Sequence, residues 1–249
     1  MTGTTHSATE VAPGVHRFET DPFHWYVIED AGRLTVVDAG FPGHWPTLLE
    51  GMEALGRRLD DVEAVILTHA HADHLGFAER LRTAANVPVF VHRADAVAAR
   101  RRLQLPWGGL LGNAWRPNIA SLLRRATGAG ALWTPPIRRV EPFEADQILD
   151  VPGRPHVIHT PGHTPGEVSF FLPERQVLLC GDTLATVELF AGRAAPPDTL
   201  PAAIAHDPVL ARRSLDRLRE LGEVTLLPGH GEPWRGDLDD VLRAASADD

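Results

Sequence analysis

The stretch LTHAHADHLG, Leu67 to Gly76, puts three histidines and an aspartate into six consecutive positions directly after the apolar run VEAVI. Nothing else in the 249-residue chain restricts its fold as tightly. In extended backbone, side chains two positions apart face the same way, so His69 and His71 can address one ion from the end of a strand. Asp73 and His74 fall where the chain turns into a helix and address a neighbouring point. Two adjacent metal positions at a strand end are the economical geometry. A lone histidine is ordinarily a packed or surface residue, but four donors in six residues, separated only by alanines, reverse that expectation.

The surroundings support this placement. GVHRFE, HWYVIED and LTVVDAG read as consecutive antiparallel strands, the last two joined by a glycine-containing turn. His44 to Leu59 has helical spacing, VEAVILT is a buried strand, and DHLGFAERLRTAA is a helix with Asp73 as its N-cap. VPVFVH is a further strand. From Ile148 onward strands return: QILDV, HVIHT, EVSFFL and QVLLC. A helix over Asp207 to Leu221, the strand VTLLP and a helix over Asp237 to Ala245 complete the pattern. Two halves, each with sheet and helices, fit a sandwich with helices outside. Residues 1–10 are polar and expected to be disordered, and 11–246 to form one domain. Residues 103–133 interrupt it with three tryptophans among prolines and glycines. This insertion is expected to be helical and either packed on the surface or laid over the site, and its apolar aromatics also suit a contact between two copies of the chain.

Composition narrows the chemistry. A hydrophobic content of 43 % can fill a core. No run of 18 apolar residues exists, and MTGTTHSATEV has neither a basic nor an apolar leader segment, so a membrane span and export are not expected and a cytoplasmic location follows by default. The formal charge of −9 opposes nucleic acid as a partner. All 24 basic residues are arginine, which removes Schiff-base lysine chemistry and the P-loop. The single cysteine, Cys180, rules out a disulfide framework and multi-cysteine zinc sites; it reads as a buried small apolar residue. Metal ligands must therefore be histidine and carboxylate.

Three more such residues follow apolar runs in tight Gly/Pro loops: His163 in HTPGHTPGE, Asp182 in LLCGDTL and His230 in LLPGHGEP. With H-x-H-x-D-H they form a pattern that resembles the metallo-β-lactamase superfamily, matching from VVDAG to PGHG with all seven ligand positions filled. The resemblance implies an αββα four-layer sandwich of two mixed sheets flanked by helices, with the site at one edge between the sheets. It also implies that His69, His71 and His163 hold one metal and that Asp73, His74 and His230 hold a second. Asp182 would bridge the two. Asp38 would support the ligand loops from behind, and Thr164 and Thr183 are candidates for the same role. His24, His92, His156, His159 and His206 have no partner pattern and read as structural or surface residues.

Imidazole and carboxylate suit Zn²⁺, with Fe or Mn also compatible. Two ions about 3.5–4 Å apart can activate a shared water without a serine, cysteine or lysine nucleophile. Asp73 and Asp182 are then the catalytic carboxylates, Asp73 first as a ligand and second as a general acid. The family implies hydrolysis, and several branches fit poorly. The di-iron redox branch places Glu where His71 stands and adds a flavin domain. The nucleases need a cationic track, and the glutathione thioesterases carry a basic C-terminal helical region. Homoserine-lactone hydrolases often carry a tyrosine after the bridging Asp, where this chain has Thr186 and Glu188; its only tyrosine is Tyr26. The expectation is a hydrolase of a small ester, thioester or lactone, with Trp107, Leu110, Leu111, Trp115 and Glu188 as substrate contacts. The alternatives are a mononuclear-iron persulfide dioxygenase, whose Arg-Thr-Asp run is not found here, and a non-catalytic metal-binding protein of the same fold.

Overall fold

Side-chain alternation along the strands sorts the apolar residues into separate layers. A computed structural model describes residues 8–20, 22–101 and 107–247, without the side chains of 107–108 and 244–247. The first sheet runs in chain order through β1 (Thr9–Ala12), β2 (Val15–Glu19), β3 (His24–Asp30), β4 (Arg33–Val37), β5 (Val62–Ile66), β6 (Val89–His92) and β7 (Glu141–Phe143). It is an antiparallel meander as far as β4 and parallel from β4 to β7. The later strands are β8 (His156–His159), β9 (Val168–Leu172), β10 (Val177–Gly181), the separate hairpin β11 (Ala185–Glu188) and β12 (Arg193–Asp198), β13 (Glu223–Pro228) and β14 (Trp234–Asp237). The second sheet has the order β14-β13-β10-β9-β8, with β10 and β13 parallel and the other neighbours antiparallel.

Tyr26, Ile28, Val37 and Ile66 point from the first sheet onto Phe170, Leu179 and Leu227 of the second, forming the central layer. Each such side chain, fully buried, contributes roughly 1.5–3 kcal/mol. The intervening residues Trp25, Val27, Val36 and Val65 face outward onto α1 (Trp45–Ala54), by way of Leu48 and Met52, and onto Leu75 of α2 (Ala72–Leu75) and Leu81 of α3 (Ala78–Ala85). The short α4 (Ala96–Ala99) follows β6, and the insertion forms α5 (Trp107–Gly112) and α6 (Pro117–Gly128). Behind the second sheet, Leu178, Cys180 and Leu226 meet Leu218 and the apolar side of α8 (Leu238–Ala247), next to α7 (Pro208–Ser214). The result is the expected αββα sandwich. None of the described helices is long and apolar enough to cross a membrane.

Several local expectations need correction. Thr9 and Glu10, expected in a disordered start, pair with Arg17 and His16 in β1. The first helix ends at Ala54, because Gly56 turns the chain with φ +66. Asp73 does not cap a single helix over 73–85; His71 occupies the cap position and α2 and α3 are separate. The amides of Gly76 and Phe77 bond to the carbonyls of Gly40 and Ala39 instead of to the preceding turn, and this breaks the helix. QILDV makes only a bridge from Ile148 to His156. The Asp207 side chain caps α7 as the sequence suggests, but Leu215–Leu221 tightens to a 3-10 helix.

Candidate metal centre

All the predicted donors leave the carboxyl ends of strands on one edge of the sandwich. His69 and His71 follow β5, Asp73 and His74 lie on α2, and His163, Asp182 and His230 follow β8, β10 and β13. Gly229 lets these loops meet: a Cβ there would lie 2.7 Å from both Asp182 Oδ1 and His74 Cε1.

The structure brings all seven residues together in two groups, His69, His71 and His163, and Asp73, His74, Asp182 and His230. His71 Nδ1 lies 3.1 Å from His69 Nε2 and 2.8 Å from His163 Nε2. Donors 2.0–2.1 Å from one tetrahedral ion would stand ~3.3 Å apart, so the triangle fits a metal with little adjustment. In the other group His230 Nε2 is 3.5 Å from Asp73 Oδ2, and His74 Nε2 is 3.8 Å from the same oxygen. Asp182 stands between the groups. Its Oδ2 is 3.4 Å from His163 Nε2 and 3.3 Å from His230 Nε2, and its Oδ1 is 3.3 Å from His74 Nε2. That Oδ1 is buried without a hydrogen-bond partner, the condition of an atom shaped to face a cation.

The remote ring nitrogens are held by acceptors. His74 Nδ1 donates to Asp38 Oδ2 at 2.8 Å, and His230 Nδ1 donates to the Pro22 carbonyl at 3.0 Å. With those contacts made, it is Nε2 of each ring that faces the centre. Asp38, in the left-handed region at φ +64, also accepts from the Thr68 amide at 2.8 Å, so it ties its own turn to the H-x-H loop. Asp95 does similar work from the 3-10 turn after β6, accepting from the Ala70 and Gly166 amides and the Thr164 hydroxyl. Glu167, wholly buried, lies 3.2 Å from His69 Nδ1 and accepts the Asp182 amide. Sequence reasoning missed Asp95 and Glu167.

Electrostatics divide the groups. Burial, reinforced by neighbouring histidines, holds His69 well below the ordinary histidine range, and it brings His163 down to about 3. His71 moves the same way, chiefly through burial. For His230 burial is outweighed by the Asp182 and Asp73 carboxylates, which raise it to about 10, and His74 likewise rises against burial through Asp182, Asp38 and Asp73. Burial alone would raise Asp73 and Asp182; the adjacent His74 and His230 outweigh it, bringing Asp73 to about 2 and Asp182 well below the carboxylate range.

A small cavity of about 50 Å³ lies over the donor atoms, walled by Phe23, Phe41, Leu110, Leu122, Leu123 and Leu189. The insertion therefore covers the site through α5 and α6. Of the expected substrate contacts, Leu110 lines this cavity. Leu111 and Trp115 are 58 % and 76 % exposed and face away, Trp115 lying beneath the Arg116 guanidinium. Glu188 pairs with Arg193 and borders a separate groove of about 1030 Å³ beside α7 and α8 that contains none of the donors. The Trp107 side chain lies outside the described residues. Thr164 bonds to Asp95, while Thr183 bonds to Thr160 beneath the loop. Cys180 is buried in the outer layer, as expected.

The family model of the metallo-beta-lactamase superfamily matches residues 21–230, and the chain belongs to that superfamily. Among its relatives, the probable metallo-hydrolase YflN of Bacillus subtilis (strain 168) is 28 % identical over an alignment of 264 positions, covering 96 % of this chain and 93 % of that protein. The fold superposes on the metallo-beta-lactamase family protein TTHA1429 of Thermus thermophilus with TM-score 0.66 and 25 % identity, over 96 % of this chain and 80 % of the other. It also superposes on TTHA1623, solved in a di-iron-bound form, with TM-score 0.58 and 30 % identity over 95 % and 96 %. The chain is a member of a metallo-hydrolase superfamily with histidine and aspartate groups able to hold metal.

Proposed function

We propose that the protein is a dinuclear metal-dependent hydrolase, loaded with zinc, that cleaves a small uncharged ester, thioester or lactone. The observation that carries this reading is the position of Asp182, whose two oxygens face ring nitrogens from both donor groups. When bound, a pair of divalent ions would supply an activated water and polarise the substrate carbonyl. His69, His71 and His163 would hold one ion and Asp73, His74 and His230 the other, with Asp182 shared. The protein's further work is orientation and exclusion of water. Above the donors the wall is carbon, from Phe23 and Phe41 on one side to Leu110, Leu122 and Leu123 on the other. Such a wall gives an acyl group a dry seat and offers a distal charge no partner. Asp73, held ionised beside His230, is placed to take the proton of an attacking water and then hand that proton to the leaving group.

The test is elemental analysis of the purified protein alongside hydrolysis of acyl esters, thioesters, lactones, β-lactams and phosphodiesters, with oxygen uptake followed in parallel. About two zinc ions per chain and turnover of neutral acyl substrates are expected. Replacing residues 103–133 with a short Gly/Ser linker should raise KM for longer acyl chains more than for acetyl esters. The TTHA1623 likeness makes iron the specific rival metal; one iron with oxygen consumption would move the protein to a dioxygenase, and metal binding without turnover to a non-catalytic role.

A further inference from the structure

Glu167 takes no part in the chemistry above, yet its side chain has 0 % exposure and touches both halves of the centre. Oε1 accepts the backbone N–H of Asp182 at 3.0 Å, and Oε2 stands 3.2 Å from His69 Nδ1. The same Nδ1 is 3.1 Å from Thr68 Oγ1. Thr68 Oγ1 lies 2.9 Å from Asp38 Oδ2, and a carboxylate only accepts, so the hydroxyl proton goes to Asp38 and a lone pair is left facing His69. His69 Nδ1 thus lies between Thr68 Oγ1 and Glu167 Oε2, a buried oxygen that has no hydrogen-bond partner among the described residues. That nitrogen carries the ring proton, and the Nε2 lone pair points at His71 and the centre. The neighbouring Gly181 has φ +51, and a Cβ on it would come within 2.8 Å of Glu167 Oε1, so the GD turn leaves room for this carboxylate.

We propose that Glu167 is a positioning residue of the metal centre. One carboxylate fixes the tautomer and ring direction of His69 and, through the amide, the placement of Asp182 between the two positions. Its effect falls on the three-histidine position, because His74 and His230 have their own supports in Asp38 and the Pro22 carbonyl. Asp95 joins the same loops but touches none of the donors, so it holds backbone and leaves the ring directions to Glu167. The inference rests on reading the seven residues as a metal centre.

Glu167→Gln isolates the role. Glutamine has the same shape but one acceptor and one donor, so in either orientation its NH₂ group faces the Asp182 amide N–H or His69 Nδ1. The experiment strips the full-length protein of metal and titrates it with Co²⁺ and then Zn²⁺ against a competing chelator. Binding is followed with the visible Co²⁺ spectrum, and the melting temperature of each metal-free variant is recorded. The wild type should take up about two ions. Glu167→Gln should keep one at wild-type affinity and bind the other about 10- to 100-fold more weakly, with an altered cobalt spectrum and a similar metal-free melting temperature. Glu167→Asp, which keeps both acceptors on a shorter stem, should fall between the two and covers the case in which the glutamine variant does not fold. Ser169→Ala, which removes a buried hydroxyl two residues away whose bonds among the described residues go to Thr160 and Thr183, should bind like the wild type. Wild-type affinity for both ions in Glu167→Gln overturns the proposal, as does Glu167→Asp binding no better than Glu167→Gln, or an equal loss in Ser169→Ala. A wild type that binds no divalent ion refutes the metal-centre reading itself.

Discussion

The two donor groups lie side by side and are prepared in opposite ways. His69, His71 and His163 are three imidazoles kept neutral chiefly by burial. His74 and His230 sit among Asp38, Asp73 and Asp182, which hold both of them protonated in the absence of a cation. A divalent ion can enter the first group without displacing a proton. At the second it must replace protons that presently balance the carboxylates, so its affinity there depends more steeply on pH. Proximity in the fold therefore does not make the groups equivalent; if both take metal as proposed, the placement of carboxylates sets which should fill first.

In the proposed dinuclear reading Asp182 is the one ligand shared by both positions, and removing it should have the largest effect. Asp182→Ala should lower kcat/KM for any ester turned over by the wild type by at least about a thousand-fold, the equivalent of roughly 4 kcal/mol. Metal content should fall at both positions while the chain stays folded, because the layered core does not depend on the loops. Retained hydrolysis in this variant would remove the distinction between a shared and an unshared ligand.

Single-histidine changes should then separate the positions. His163→Ala and His230→Ala are each expected to retain about one ion, but with opposite pH behaviour. With His163 gone, the remaining ion sits among the carboxylates and should dissociate as the pH is lowered through the neutral range. With His230 gone, the ion held by His69 and His71 should persist to lower pH. Metal content after equilibrium dialysis at a series of pH values reads this directly, and identical profiles would abolish the contrast.

Why the donors were legible and their supports were not follows from where each residue's evidence lies. His69, His71, Asp73 and His74 are close in sequence, and His163, Asp182 and His230 each follow an apolar strand in a Gly/Pro turn, so local pattern suffices. Asp38 was legible for the same reason. Asp95 and Glu167 look like surface carboxylates in the sequence, and only the packing of β6 against the β8–β9 turn buries them. In the insertion Trp115 drew attention to the wrong face. Ile119, Leu122, Leu123 and Ala126 recur at i, i+3, i+4 and i+7, a readable helical stripe, and three of these four line the cavity. Strands β12 and β7 were hidden by their prolines, which lie at edges where no amide is required.

The smallest expected effect is on the stability of the metal-free protein, and its sign differs between the groups. An unfolded histidine titrates near 6.5. His230, raised to about 10 when folded, contributes stability that is complete below about 6.5 and is lost as the pH rises toward 10; His74 acts in the same direction. His163, lowered to about 3, works the other way: below about 6.5 the unfolded chain takes up a proton that the folded one refuses, so stability falls as the pH drops. Asp73, at about 2 when folded, adds a further loss once the pH falls below the ordinary carboxylate value near 3.9. Metal-free protein should therefore melt highest at about pH 6–7 and lose at least a few degrees on either side. Saturating zinc should remove the alkaline loss, since the ion then balances Asp73 and Asp182 in place of the protons on His74 and His230. Calorimetric melting with and without chelator across this range measures both limbs. A flat alkaline limb in the metal-free protein would mean that the carboxylates do not hold those two rings protonated, and the two positions would then differ in ligand type alone.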